Sequence, residues 1–220
     1  MKFCIISFLK VGKREHIENL LYKGEVYFQS TSWFKKQEEE NNELGDEFES
    51  ACWIHQFDDC LIKDDNDEWQ KVNLEPFVVR QYNSVINQGN AFCLYAFHKQ
   101  GGGKIQYPLI NRKKFGDTIL CIYNPKAFID RVESAIRKEG YSCASGPVKY
   151  YDENMINGFI SPFHKRLKYE LQQEARIFIP NTKNMPITLN IGSIEDIAFL
   201  VTDDYLAIHI AENEVRLIKK

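Results

Sequence analysis

Four strand-like segments follow one another at the end of the chain with no helix between them. They are "EARIFIP" (174–180), "PITLNIG" (186–192), "IAFLVTD" (197–203) and "YLAIHIAENEVRLI" (205–218), separated by turn-forming Asn, Lys, Pro, Gly and Asp. Such a succession does not fit the alternating strand–helix order of a doubly wound fold. It points to an α+β class with a mixed or mostly antiparallel sheet. With 220 residues, 44% of them hydrophobic, the chain can bury one real core. Residues 1–220 read as a single α+β domain with three to four helices, and no boundary is stronger than the acidic segment 37–47.

The upstream segments supply the helices. A first strand is expected over Lys2–Phe8. "KREHIENLLYKG" places Ile17, Leu20 and Leu21 at helical spacing, with Gly24 as the stop. "EVYFQS" reads as a strand, followed by a short helix or turn and then the acidic loop. Residues 50–57 fit either a strand or a helix, and "CLIKDDNDEWQKV" reads as a hairpin around a polar turn. "EPFVVRQYNSVINQG" reads as a helix after Pro76 that ends at Gly89. "NAFCLYAFHK" and "FGDTILCIYNP" read as buried strands. The strongest helix is "NPKAFIDRVESAIRKEG", with Asn124 as cap, Pro125 in the first turn, a Phe128/Val132/Ile136 stripe and Gly140 as stop. "GPVKYYD" reads as a short strand. "SPFHKRLKYELQQ" reads as a second capped helix, from Ser161 and Pro162, with Phe163, Leu167 and Leu171 as its buried stripe.

Charge and cysteine usage narrow the setting. A net charge of -3 exerts no overall pull toward nucleic acid or an anionic membrane. No apolar run approaches the ~20 residues needed to span a bilayer. The six cysteines are scattered, several inside apolar runs, as buried free thiols are in a reducing compartment. The expectation is a cytoplasmic protein with no membrane partner.

The candidate chemistry gathers where "HKRLKYELQQ" meets "EARIFIP". Strand alternation puts Glu174 and Arg176 on one face, opposite Ala175, Ile177 and Ile179. Paired charge on an apolar sheet implies either a polar cleft or a structural pair at the sheet's end. The helical reading puts Lys165 and Tyr169 on the polar face just before them. Asp46 and Glu49 in "GDEFES" could join Glu174 for acid–base work, or sit in a solvated turn. Ser30 and Ser32 could grip a ribose or phosphate, or cap the next helix. Cys52, His55, Asp58, Asp59 and Cys60 match no familiar zinc spacing, so no metal site is expected. "KQGGGK" lacks the phosphate-loop pattern, and "NRKK" (111–114) reads as a solvated basic face.

Several of these pieces together resemble a bacterial and phage family of unknown function. Its members carry a Y-K-Y start, G-x-[IL]-[YW]-F, F-N-D-P-F-E, a "CLS" strand and Y-E-x-E-x-R. The matching stretches are "FLK" (8–10), "GEVYFQSTSWF" (24–34), "GDEFES" (45–50), "AFCLYAF" (91–97) and "FHKRLKYELQQEARIF" (163–178). This likeness implies a cytoplasmic protein of phage-related or host-conflict context. It singles out Lys10, Asp46, Glu49, Lys165, Tyr169, Glu174 and Arg176 as positions where polar residues gather. Ser-Thr-Ser after one strand and a Glu opening a later one also resemble, more loosely, the ADP-ribosyltransferases.

The expected function is a nucleotide- or NAD-using transferase or hydrolase. Glu174, Asp46 and Glu49 would be catalytic. Lys10, Ser30, Ser32, Lys165, Tyr169 and Arg176 would hold a small phosphorylated ligand, with Arg176 and Lys165 meeting its anion. Two alternatives accompany it. One is a non-catalytic binder of a protein partner, anchored by Trp33, Trp69, Tyr150 and Tyr151. The other is a metal-dependent nuclease built on Asp46, Glu49 and Glu174.

Overall fold

The computed structural model describes residues 4–39, 46, 48–57, 60–72, 77–83, 87–99, 105–106, 108, 116–201, 205–211 and 214–219. A nine-stranded sheet forms its body. The strands of this sheet are β1 (Cys4–Gly12), β2 (Glu25–Ser30), β7 (Gly89–Lys99), β8 (Ile105–Gln106), β9 (Thr118–Ile122), β10 (Ala144–Pro147), β14 (Glu174–Pro180), β15 (Ile187–Asn190) and β16 (Ala198–Val201). The intervening numbers belong to β3 (Ala51–Phe57), β4 (Cys60–Lys63), β5 (Trp69–Val72), β6 (Phe77–Tyr82), β11 (Lys149–Tyr151), β12 (Gly158–Phe159) and β13 (His164–Arg166). A terminal hairpin, β17 (Tyr205–Ala211) and β18 (Glu214–Lys219), follows.

The main path runs β10-β14-β7-β1-β9-β16, and every pairing in it is antiparallel. This is the α+β class expected from consecutive strands. One sheet face carries Phe8, Phe92, Leu94, Leu120, Ile122, Ile177 and Ile179 into the core. The covering helices are α1 (Arg14–Glu18), its π-helical continuation Asn19–Lys23, and α3 (Pro125–Lys138). They bring Ile17, Leu20, Leu21, Phe128, Val132 and Ile136. Helix α2 (Thr31–Glu39) follows β2 directly.

Helix α3 starts as its sequence dictates. The Asn124 side chain accepts the Ala127 N–H at 3.1 Å and Pro125 occupies the first turn. Gly24 ends the first helix in the left-handed region, at φ 68°. It also passes close to Gly192, whose carbonyl oxygen would lie 1.9 Å from an added β-carbon.

The sheet forks at β7. On one edge, β7 pairs with β2 at Asn90 and Ala91, and with β1 from Tyr95 onward. Residues 92–94 lie between, where β1 and β2 diverge. Beyond the fork β1 continues along β9, while β2 pairs with β15.

Two elements differ from expectation. Residues 77–82 form β6 and not a helix. Val78, Val79 and the flanking aromatics suit a pleated surface, and the segment pairs with β3 along 51–57. Pro76 signals a helix start equally well by sequence, but a partner strand decides the matter. The expected helix over 161–173 is also absent. Instead β13 pairs in parallel with β11, and a six-residue 3₁₀ helix, Leu167–Gln172, follows. Leu167 and Leu171, the expected buried stripe, are 46% and 63% exposed. Lys165, Arg166 and Tyr169 are buried in their place.

The strand expected at 2–8 runs to Gly12 within the described residues. "SACWIHQF" resolves as strand β3, and the 60–72 hairpin is β4–β5. The Gly-rich residues 101–104, the basic 111–114, and Asp58 and Asp59 lie outside the described residues. Among those described, no helix is long and apolar enough to cross a membrane. Cys4, Cys52, Cys93, Cys121 and Cys143 are free, with Cys52 and Cys121 buried and Cys4 exposed.

Candidate functional site

Strand β14 follows Gln173, a left-handed residue with φ 45° that closes the 3₁₀ helix. From there the alternation runs as expected. Ala175, Ile177 and Ile179 enter the core, while Glu174 and Arg176 project from the opposite face. Their neighbours on β7 are Tyr95, opposite Glu174, and Cys93, opposite Arg176. The Glu174 N–H donates to Tyr150 Oη at 2.8 Å.

The two charges sit in a larger network. Arg176 Nε donates to Glu174 Oε1. Its Nη1 donates to Glu49 Oε1 at 2.9 Å and to the Pro162 carbonyl at 2.7 Å. Lys165 Nζ donates to Glu174 Oε2 and to Gln172 Oε1, each at 2.8 Å. Beside this lies a second pair, in which Arg166 Nε donates to Asp46 Oδ1 at 3.0 Å. The Arg166 guanidinium lies 4.2 Å from the centre of the Phe48 ring. All six of these charged side chains are at most 7% exposed. Asp46 and Glu49 therefore do not form a solvated turn; they reach in to meet buried cations.

The carboxylates are driven in opposite directions. Burial alone would raise the Glu174 carboxyl, but Arg176 and Lys165 hold it far below the usual carboxylate range. Burial raises Glu49, and Arg176 offsets this only in part. Burial also pushes the Cys93 thiol up to about 12, with the Glu174 charge adding to it.

These groups line a cavity of about 770 Å³ that runs through the fork. Because the sheet is open there, groups from both faces reach it. Glu174, Arg176, Glu49, Asp46 and Lys165 form the charged wall. Tyr27, Trp33, Phe34 and Phe92 give it aromatic surface, and Lys10, Lys13, His16 and Glu25 complete it near β1 and β2. The alternation of β2 explains its share: Val26 and Phe28 are buried in the core, so Glu25, Tyr27 and Gln29 turn to the cavity.

Of the residues expected to form a site, Lys10, Asp46, Glu49, Lys165, Glu174 and Arg176 converge on this cavity. Ser30 and Ser32 do not line it. Ser30 Oγ accepts the Trp33 N–H at 3.3 Å, 3.1 Å from Ser32 Oγ, and so caps α2. Tyr169 is buried beside the network, with Lys165 4.7 Å and Arg166 5.6 Å from its ring centre. Lys165 and Arg176 carry carboxylate partners, which leaves little net charge for an external anion. Lys13 and His16 have no ion pair among the described residues and are better placed for that role.

Each carboxylate of the supposed metal set faces an arginine or lysine. Among the described residues no three or more His, Cys, Asp or Glu side chains are grouped to hold a metal ion. The proposed aromatic anchors separate: Tyr151 is buried, Tyr150 bonds Glu174, Trp33 lines the cavity, and only Trp69 is freely exposed. A different aromatic row is exposed on β3 and its neighbours. Phe159, Trp53, His55, Phe57 and Phe77 follow one another with ring centres 5.0–6.4 Å apart.

Arg166, Lys13, His16 and Trp33 were not singled out as ligand or network residues by sequence. Trp33, directly after Ser-Thr-Ser, carried the only available signal. No protein-family model, curated protein or solved structure matches the chain.

Proposed function

We propose that the cavity binds a nucleotide-type ligand and cleaves its N-glycosidic bond, with NAD the first substrate to test. Transfer of the ADP-ribosyl group and simple hydrolysis then differ only in the acceptor. One observation carries this reading. Two buried carboxyls, Glu174 and Glu49, share the Arg176 guanidinium on the wall of an aromatic-lined cavity and are pushed apart in acidity. Such a split is how a site obtains a fixed anion and a proton carrier from one residue type.

Glycosidic cleavage needs both. Glu174, held ionised, stabilises the oxocarbenium-like sugar that forms as the base departs. Glu49 takes a proton from the attacking water or acceptor. Trp33, Phe34 and Tyr27 supply ring surface for a base. Lys13 and His16 are the hydrogen-bond donors left for phosphate, with the Glu25 carboxylate also in the lining.

The test is release of nicotinamide from NAD, with and without protein acceptors. Glu49→Gln should remove release while the protein still melts near the native temperature. No release by the native protein with any acceptor overturns the N-glycosidic reading.

A non-catalytic binder of a protein partner is the reading favoured by the exposed Trp53–Phe57–Phe159 row. It requires that no nucleotide raise the melting temperature. A nucleotide-dependent rise that Trp33→Ala removes decides against it.

A further inference from the structure

Lys10, half-buried, stands apart from the buried cations. Lys165, Arg166 and Arg176 each hold a carboxylate. The Lys10 ammonium nitrogen instead donates to the main-chain carbonyl of Cys93, at 2.8 Å, and lies 4.3 Å from the centre of the Phe92 ring. That carbonyl belongs to the stretch of β7 left bare where β1 and β2 diverge. The lysine reaches the fork from β1 and lines the cavity. A neutral carbonyl and a ring face hold an amine in place without stabilising its charge as a carboxylate would. Glu174 acts on it only through space, and burial outweighs that, lowering its affinity for a proton.

We propose that Lys10 is a nucleophilic amine that forms an imine with the carbonyl group of an anionic aldehyde or ketone bound in the cavity. The Nζ lone pair attacks the carbonyl carbon and a C–N bond forms. The carbonyl oxygen leaves as water with the two amine hydrogens, and a C=N bond remains. No oxidant or reductant is needed. Ring surface from Phe92 and Trp33, the Lys13 ammonium and the His16 ring fit a ligand that joins an unsaturated or sugar body to a phosphate. The inference extends the ligand class of the proposed N-glycosidic site but does not depend on that reaction.

Pyridoxal 5′-phosphate is the probe, because it is an anionic aromatic aldehyde whose imines can be fixed by borohydride. The native protein is incubated with it at neutral pH, reduced, digested and mapped by mass spectrometry. The first equivalent incorporated should sit on Lys10. Lys10→Met should lose that equivalent and keep the slow labelling of surface lysines. Lys13→Ala should need more probe for the same labelling. Label spread over exposed lysines with Lys10 unmodified overturns the proposal, and because this is read on the native protein it does not rest on any variant folding. Labelling of Lys10 without nicotinamide release leaves this inference standing and removes the N-glycosidic reading. Release without labelling does the reverse.

Discussion

Glu174 shows how a residue whose face is read from sequence can still sit in a network that the sequence does not reveal. Alternation along 174–180 fixes its face, and the structure places it there. Its pairing with Arg176 was legible, but the second carboxylate on that guanidinium was not, because Glu49 and Arg176 are 127 positions apart and no local pattern pairs them. Those partners change what a substitution does. Glu174→Gln would leave Lys165 and Arg176 buried with too little negative charge, and should cost about 3–5 kcal/mol of stability. Glu49→Gln keeps the Arg176–Glu174 pair and an amide oxygen for Nη1, and should cost about 1 kcal/mol. Urea unfolding of the two variants checks this, and equal losses would mean the network is not centred on Glu174. The pH dependence follows from the same charges. Glu174 is depressed in the fold, so its contribution is complete above the unfolded carboxyl value, about 4.3, and is lost as pH falls toward the folded one. Gln cannot titrate, so the gap between native and Glu174→Gln stability should hold at neutral pH and narrow under acid. Glu49, being raised, works in the opposite sense, favouring the fold as it protonates. Melting curves of both variants and the native protein from about pH 7 downward separate these contributions.

At the level of elements, two stripes of similar spacing had different fates. Phe128, Val132 and Ile136 recur every four residues and are wholly buried. Phe163, Leu167 and Leu171 recur at the same spacing, yet the two leucines face water. The difference lies outside either stripe. Helix α3 has a capped start, 14 residues and a sheet face to cover. Residues 164–166 are instead drawn into parallel pairing with β11, and the following 3₁₀ helix is too short to present a stripe. Buried Lys165 and Arg166 also require carboxylate partners, a demand that outweighs two leucines of burial. Ile136→Ala should therefore cost about 2–5 kcal/mol, whereas Leu171→Ser should stay within about 0.5 kcal/mol. Denaturant midpoints at constant slope read this directly, and a large loss for Leu171→Ser would restore the helical reading. Segments with strong local punctuation were legible: the Asn124-to-Gly140 helix, the Gly24 stop and the 60–72 hairpin. Segment 77–82 was not, because its fate depends on β3, whose own assignment by sequence was open.

Across the whole molecule, the class was legible from element order and the fork was not. A fork arises from which strands share an edge of β7, and pairing partners leave no mark on a single sequence. The cavity depends on this long-range closure, and so does the attachment of the smaller sheet. Residues 46 and 48–57 reach β14 of the body through Glu49–Arg176, reach β13 through Asp46–Arg166, and are tied by Asn87, whose side-chain amide donates to the Ala51 and Ile160 carbonyls at 2.7 and 2.8 Å. Ala51, Ile54, Tyr151 and Ile160 form a core of their own, separate from that of the main sheet. A small core tied to a large one by buried charges should open first. Arg166→Met removes one tie and leaves Asp46 buried without its guanidinium. Amide hydrogen exchange should then accelerate along Ala51–Phe57 and Phe77–Tyr82, while β7 and β14 stay protected. Binding in the cavity should weaken with it, since Asp46 and Glu49 form part of the wall. If all strands lose protection together, the two cores are one cooperative unit and the site is as rigid as the sheet itself. If only the smaller sheet loosens, the carboxylates of the 46–49 segment reach the cavity on a movable element. Glu49 would then enter and leave the site with that element, while Glu174 stays fixed on β14.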